Sequence, residues 1–174
     1  MALYLIELTP ATASKDEATA LIETVSNSLS EGAELIETQV SADHKLIFAI
    51  IESENTALAP ALTAAIGERA SVVGPDEVRL VGAELDDIKK LKKDADYLVE
   101  WDIPAEITME QYLTRKKANA PKYAEVPEVS FLRTYVREDT AKCLCFYDAP
   151  DEDAVLRARK AVSTPIDRLF KLHA

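Results

Sequence analysis

Two thiols, two residues apart, are the first place to look for chemistry in this chain. Cys143 and Cys145 are its only cysteines, and they lie in the stretch EDTAKCLCFYDAPDEDAV, residues 138–155. On a strand, residues i and i+2 share a face, so both sulfurs can reach one ion or one ligand. Their Cα atoms would stand about 6.5–7 Å apart, at or beyond the usual limit for a disulfide. Two readings are left: a metal site, or two small apolar residues on a buried strand. Nickel or zinc calls for imidazole or thiolate donors. The two histidines, His44 and His173, fall in a hairpin turn and beside the C-terminus, away from the thiols. Cys143, Cys145 and Glu100 then form an incomplete three-donor set for a divalent metal such as nickel.

Other motifs are missing. The chain has no G-x-S-x-G, no H-E-x-x-H and no Cys–His couple with an orienting partner. Four glycines in 174 residues leave little material for a phosphate-cradling loop. Strand alternation instead collects polar groups on one sheet face. In the second half of the chain that face would hold Leu98, Glu100, Arg133, Tyr135, Cys143, Cys145 and Tyr147. The matching positions of the first half are Leu5, Glu7, Glu37, Gln39, Ile47, Ala49 and Ile51. Buried charge is costly unless paired, so such a mixed face is either a structural ion network or a cleft that takes a ligand. The candidate ligand-binding residues are Glu7, Glu37, Glu100, Arg133, Tyr135, Cys145 and Tyr147. Arg133 suits an anion, and Glu100 could serve as a base if burial raises its pKa. Three functions follow: a small-molecule or metal-binding protein, a cofactor-independent small-molecule enzyme (oxygenase- or isomerase-like), and an interaction scaffold using the acidic outer surface.

The elements that must position these residues come as an internal repeat. YLIE at 4–7 returns as YLVE at 97–100, and LIETQVSADHKLIFAIIESENTAL (35–58) lies on FLRTYVREDTAKCLCFYDAPDEDA (131–154) without a gap. Each half reads strand, helix, hairpin, helix, strand. In the first, strands are expected near 3–8, 34–40, 45–52 and 77–81. A helix should start at Ser14, with Ser14 and Glu17 as a capping box. A second helix is expected near 54–67, bent or started late by Pro60. In the second, strands are expected at 97–102, 130–136, 142–148 and 167–172, with helices at 108–119 and 151–162. The segment ELDDIKKLKK (84–93) reads as a short amphipathic connector helix. The order βαββαβ is the ferredoxin-like, α+β unit, whose sheet is covered by helices on one face only. Two copies, 1–82 and 95–174 joined by 83–94, are expected to pack sheet to sheet as an intramolecular pseudo-dimer of the dimeric α+β barrel type.

Composition bounds the partners. The formal net charge is −11, from 31 acidic and 20 basic residues. That balance argues against nucleic acid and anionic membranes. The cluster Lys89, Lys90, Lys92 and Lys93 reads as a solvated helix face. No apolar run approaches the roughly 20 residues of a membrane span, and MALYLIELTP has no basic region to open a signal peptide. A reducing cytoplasm is the expected home, with the chain a monomer or a homodimer.

At YLVEWDIP, FLRTYVREDTAKCLCFYDAPDEDAV and TPIDRLFKL, the second half resembles the domain-of-unknown-function family numbered 4242, which includes a small nickel-binding protein of ferredoxin-like fold. The resemblance covers nearly all of 96–172. It implies the fold, the pairing of copies and an involvement of metal. The positions that match the family pattern are Glu100, Arg133, Tyr135, Cys145, Tyr147, Asp148, Pro150, Pro165 and Asp167. The first half keeps Glu7 and the fold pattern but lacks the Tyr, Cys and Tyr.

Overall fold

A computed structural model describes residues 2–54, 57–91 and 94–172; Lys92, Lys93 and His173 of the sequence reading lie outside them. Strand β1 (Ala2–Pro10), helix α1 (Lys15–Ser28), strands β2 (Ala33–Val40) and β3 (Ile47–Ser53), helix α2 (Ala59–Ile66) and strand β4 (Ala70–Val81) come first. After the short helix α3 (Leu85–Lys89), the order repeats as β5 (Tyr97–Asp102), α4 (Met109–Asn119), β6 (Ser130–Arg137), β7 (Lys142–Asp148), α5 (Glu152–Ala161) and β8 (Arg168–Lys171). The described residues divide into two compact units, 2–78 with 86–91, and 79–85 with 94–172. The first unit has strand order β2-β3-β1-β4, and the second has β6-β7-β5-β8. The neighbours β1–β3, β1–β4, β2–β3, β5–β7, β5–β8 and β6–β7 are antiparallel. Each unit is therefore an α+β, ferredoxin-like βαββαβ fold.

Local chemistry explains the element ends. Ser14 Oγ accepts from the Glu17 amide at 3.1 Å, capping α1. The expected reciprocal bond does not form, because Arg69 draws the Glu17 carboxylate away at 3.1 Å. Thr108 and Gln111 do make the complete capping box on α4, at 3.2 and 2.9 Å. Asp151 caps α5 through the Ala154 amide at 2.8 Å. Pro60 sits in the first turn of α2, where its missing N–H costs nothing, so that helix starts late instead of bending.

The helices of each unit cover one face of its sheet. In the first unit Ile6, Leu8, Ile47, Ala49 and Ile51 meet Leu21 and Val25 of α1 and Leu62 and Ile66 of α2. In the second, Val99, Trp101, Val136, Cys143, Cys145 and Tyr147 meet Tyr112 of α4 and Ala154, Val155 and Ala158 of α5. Each fully buried side chain of this kind contributes roughly 1.5–3 kcal/mol.

This packing corrects the expected mixed face. Cys143, Cys145 and Tyr147 belong to the helix side of the second unit. Glu100 lies opposite Leu144, and Leu98 and Arg133 lie opposite Phe146, so these residues and Tyr135 line the other face. In the first unit Ile47, Ala49 and Ile51 are likewise on the helix side, while Glu7 and Gln39 oppose Phe48 and Glu37 opposes Ile50. The cause is physical. Residues 47–51 and 143–147 are all buried, so neither run carries the polar–apolar alternation that marks a half-exposed strand. Register shifts at Leu35/Glu37 and Phe131/Arg133 break the period again on the neighbouring strands.

Candidate functional site

On the helix side of the second unit lies a cavity of about 50 Å³, lined by Trp101, Tyr112, Arg115, Lys116, Asn119, Ala120, Tyr123, Phe131, Cys143, Cys145, Arg159, Val162 and Thr164. Helix α4 supplies Tyr112, Arg115, Lys116 and Asn119, spaced i, i+3, i+4 and i+7 on one helical face. The 3-10 segment that follows, Ala120–Glu125, carries Tyr123. Strand β7 supplies both thiols, and α5 supplies Arg159. None of the lining residues is a carboxylate, although the chain has 31 of them.

The walls are aromatic and the rim is cationic. Tyr123 stacks on Phe131 at 5.5 Å with the rings 8° from parallel. Lys116 Nζ sits 4.3 Å from the Phe131 centroid, and the Arg115 guanidinium 5.4 Å from the Trp101 centroid, both within cation–π range. Gly82, at φ +87°, lets the chain pass against this wall; a Cβ there would stand 2.7 Å from Phe131 Cε1.

Arg159 is the centre of the arrangement. It is 2% exposed, yet among the described residues no carboxylate pairs with it. Its Nη1 donates to Tyr147 Oη at 3.1 Å and its Nη2 to the Pro165 carbonyl at 2.5 Å. Its Nε has no hydrogen-bond partner. An uncompensated buried cation costs several kcal/mol, so negative charge must come from somewhere else. Part comes from the last turn of α5, where Arg159 meets the negative end of the helix dipole. Cys145 lines the same cavity, and its lowered pKa favours negative charge there.

The two thiols act on each other, and their pKa values are pushed apart. Cys145 is held well below the usual thiol range by a hydrogen bond from Cys143, with further help from the Lys116 and Arg159 charges and from Thr134. Thr134 Oγ1 donates to its sulfur at 3.2 Å. Cys143, the donor of that bond, is pushed up well above that range, and burial adds to the shift. Beside them Tyr123 and Tyr147 meet Oη to Oη at 2.6 Å. Burial raises Tyr123 to about 12 and pushes Tyr147 well above the usual phenol range. Tyr147 accepts from Arg159, and either phenol can be the donor in the bond between Tyr123 and Tyr147.

The other predicted residues make a separate arrangement. Glu100, 3% exposed, accepts from Arg168 and from Lys142, the latter at 3.4 Å. Arg168 also pairs with Asp102, and this bond is the main reason the Asp102 carboxyl lies below its usual range. Arg133 stands 5.0 Å over the Phe146 ring, and Tyr135 meets that ring edge-on at 5.9 Å. Gln39 donates to Glu37 at 3.1 Å. Glu100 thus has its charge answered within its own unit, on the opposite sheet face from the thiols. The expected set of Cys143, Cys145 and Glu100 is not brought together.

Sequence reasoning missed Tyr112, Arg115, Lys116, Tyr123 and Arg159. For Arg159 a signal was present. Val155, Ala158, Arg159 and Val162 fall at i, i+3, i+4 and i+7, which puts a charge on the apolar stripe of its helix.

The model of the family described as nickel responsive protein SCO4226-like matches residues 97–172, the unit that holds the cavity. The chlorite dismutase-like protein TA0507 is similar over 100% of this chain and 96% of its own, at 15% identity and a TM-score of 0.56. An anthrone oxidase-like protein is similar over 98% of this chain and 89% of its own, at 14% identity and a TM-score of 0.51. SCO4226 from Streptomyces coelicolor A3(2) aligns with 45% of this chain and 95% of its own, at 17% identity and a TM-score of 0.39. No curated protein matches. At these identities the two full-length likenesses establish the α+β fold and nothing finer. No helix among the described residues is long and apolar enough to cross a membrane.

Proposed function

We propose that this chain binds a small organic anion in the helix-side cavity of its second unit. The observation that carries the reading is the buried, carboxylate-free Arg159, whose Nε lacks a partner in a cavity it helps to line. Two more cations stand at the same cavity in a chain of net charge −11. The ligand is a short carboxylate: Arg159 and Lys116 meet its charge, and the Trp101, Tyr112 and Phe131 rings flank its apolar part. A cavity of about 50 Å³ holds roughly three to five waters, which limits the ligand to a few heavy atoms.

The matched family's description brings nickel into the reading. The donors of this cavity do not fit a divalent cation. Among the described residues no group of three or more His, Cys, Asp or Glu could hold one. The two thiols also stand beside Arg159 and Lys116, whose charges oppose a dication. The repeated element order and strand order support a further proposal, that the chain is two copies of one family-like unit of which the second keeps the site.

Calorimetry of the whole chain with formate, acetate and propionate, each against its neutral amide, tests the reading. Binding of at least one acid, with the amide at least tenfold weaker, is expected. Equal binding of acid and amide, or no heat with any of them, overturns it.

A further inference from the structure

We propose that Cys145 is a nucleophile that attacks the anion held by Arg159 and Lys116, and that its substrate is a small carboxylate with an electrophilic carbon. The inference rests on the anion reading of the same cavity and adds a reaction to it. Four observations converge. Cys145 lines the cavity together with Arg159 and Lys116. Thr134 Oγ1 donates to its sulfur at 3.2 Å, an arrangement that favours a thiolate over a thiol. The buried Arg159 has no carboxylate to answer its charge and keeps an unpartnered Nε, so a sulfur anion here relieves two buried charges at once. Cys143, two residues along the same buried face, keeps its own proton and turns it toward the Cys145 sulfur, while the Cys145 proton leaves to solvent.

The thiolate, not the thiol, is the attacking species. With an α,β-unsaturated acid, the sulfur lone pair forms the C–S bond at the β-carbon. The π pair of the double bond moves to the α-carbon, which takes its proton from the Tyr123 hydroxyl. Water then returns a proton to Tyr123. No oxidant, reductant or metal is required. Arg159 and Lys116 hold the carboxylate throughout, and Tyr147 orients Tyr123 through the 2.6 Å contact.

The probe pair is iodoacetate and iodoacetamide, electrophiles of nearly equal size that differ in charge. Attack forms the C–S bond and expels iodide in both. The folded chain is treated with each at pH 6.5, and peptide mapping locates the label. Labelling is expected on Cys145, about tenfold faster with iodoacetate, the ratio expected from one favourable charge contact. It should also slow when propionate is added. Arg159→Met should reverse the preference for iodoacetate. Lys116→Gln, at a half-buried position, should lower it and covers the case in which Arg159→Met does not fold.

The rate should hold nearly level from pH 8 to pH 6, where an ordinary thiol loses close to tenfold per unit. The ionisable groups facing the sulfur are Cys143 and Tyr147 of β7, Tyr112 and Lys116 of α4, Tyr123 of the 3-10 segment and Arg159 of α5. None of them is expected to change charge in that interval. Faster labelling by iodoacetamide, labelling on Cys143, or thiols that react only after unfolding in urea would each overturn the proposal. If propionate binds by calorimetry while Cys145 stays inert, the reaction falls and the anion site stands. If none of the acids binds, both fall.

Discussion

The two units share one element order and one strand order, yet their helix-side interiors are of different kinds. In the gapless alignment of 35–58 on 131–154, Ile47, Ala49 and Ile51 of the first unit fall on Cys143, Cys145 and Tyr147 of the second. The first unit fills the space with Leu21, Val25, Leu62 and Ile66. The second puts Tyr112 and Arg159 there and leaves a cavity. One interior of this fold can be wholly apolar while the other holds a buried cation. The cost of that cation is offset by its hydrogen bonds and by the helix end it meets.

The comparison can be broken or sharpened by substitution. Leu62→Ala in the first unit should destabilise the chain by about 3–4 kcal/mol and leave anion affinity unchanged, as read by denaturant midpoint and calorimetry. If affinity falls with stability, the two interiors are not independent. Arg159→Met in the second unit should do the converse. Affinity should drop by about 3 kcal/mol, more than a hundredfold, with a smaller change in stability, because an apolar side chain in place of a buried charge is often neutral.

Tyr147→Phe removes the acceptor of Arg159 Nη1 and the partner of Tyr123, and should cost about 1–2 kcal/mol of stability. An effect under about 0.3 kcal/mol would show that the phenol pair carries nothing. Arg79→Ala breaks a 2.9 Å pair with Glu138 whose side chains are 45% and 35% exposed. It should cost less than about 1 kcal/mol and fade with added salt.

Tyr123 offers a pH test with a definite sign. Its folded pKa is raised to about 12 from the ordinary value of about 10, so the folded state favours the neutral phenol. The resulting stability is intact below about pH 10 and is lost as pH rises through about 12. Tyr123 is the least buried of the six tyrosines, and absorbance of the phenolate, compared between the chain and Tyr123→Phe, should place its ionisation above that of a free phenol. A single transition near 10 for all tyrosines would contradict the packing around it.

The fold was legible because its signals are local and repeated. Ser14, Thr108 and Asp151 mark helix starts, and the YLIE and YLVE strands announce the second unit. The site was less legible. Cys143 and Cys145 drew notice as a pair, but their face was misassigned because β7 is apolar on both sides, and Glu100 was grouped with them on that mistaken alternation. Lys116 and Tyr123 gave no sign at all. Their roles depend on α4 and the 3-10 segment packing over the sheet, which no spacing within either segment reveals. The 12-residue β4 also runs well ahead of the expected 77–81, with its register against β1 shifted between Leu5 and Glu7.

Trp101 is the chain's only tryptophan, and it forms part of the cavity wall with Arg115 5.4 Å from its ring. The indole emission of the whole molecule therefore arises at this one place. A ligand that displaces Arg115 or the cavity water will change the colour and lifetime of that light, so the protein carries its own optical reporter, and occupancy can be followed in real time without a label.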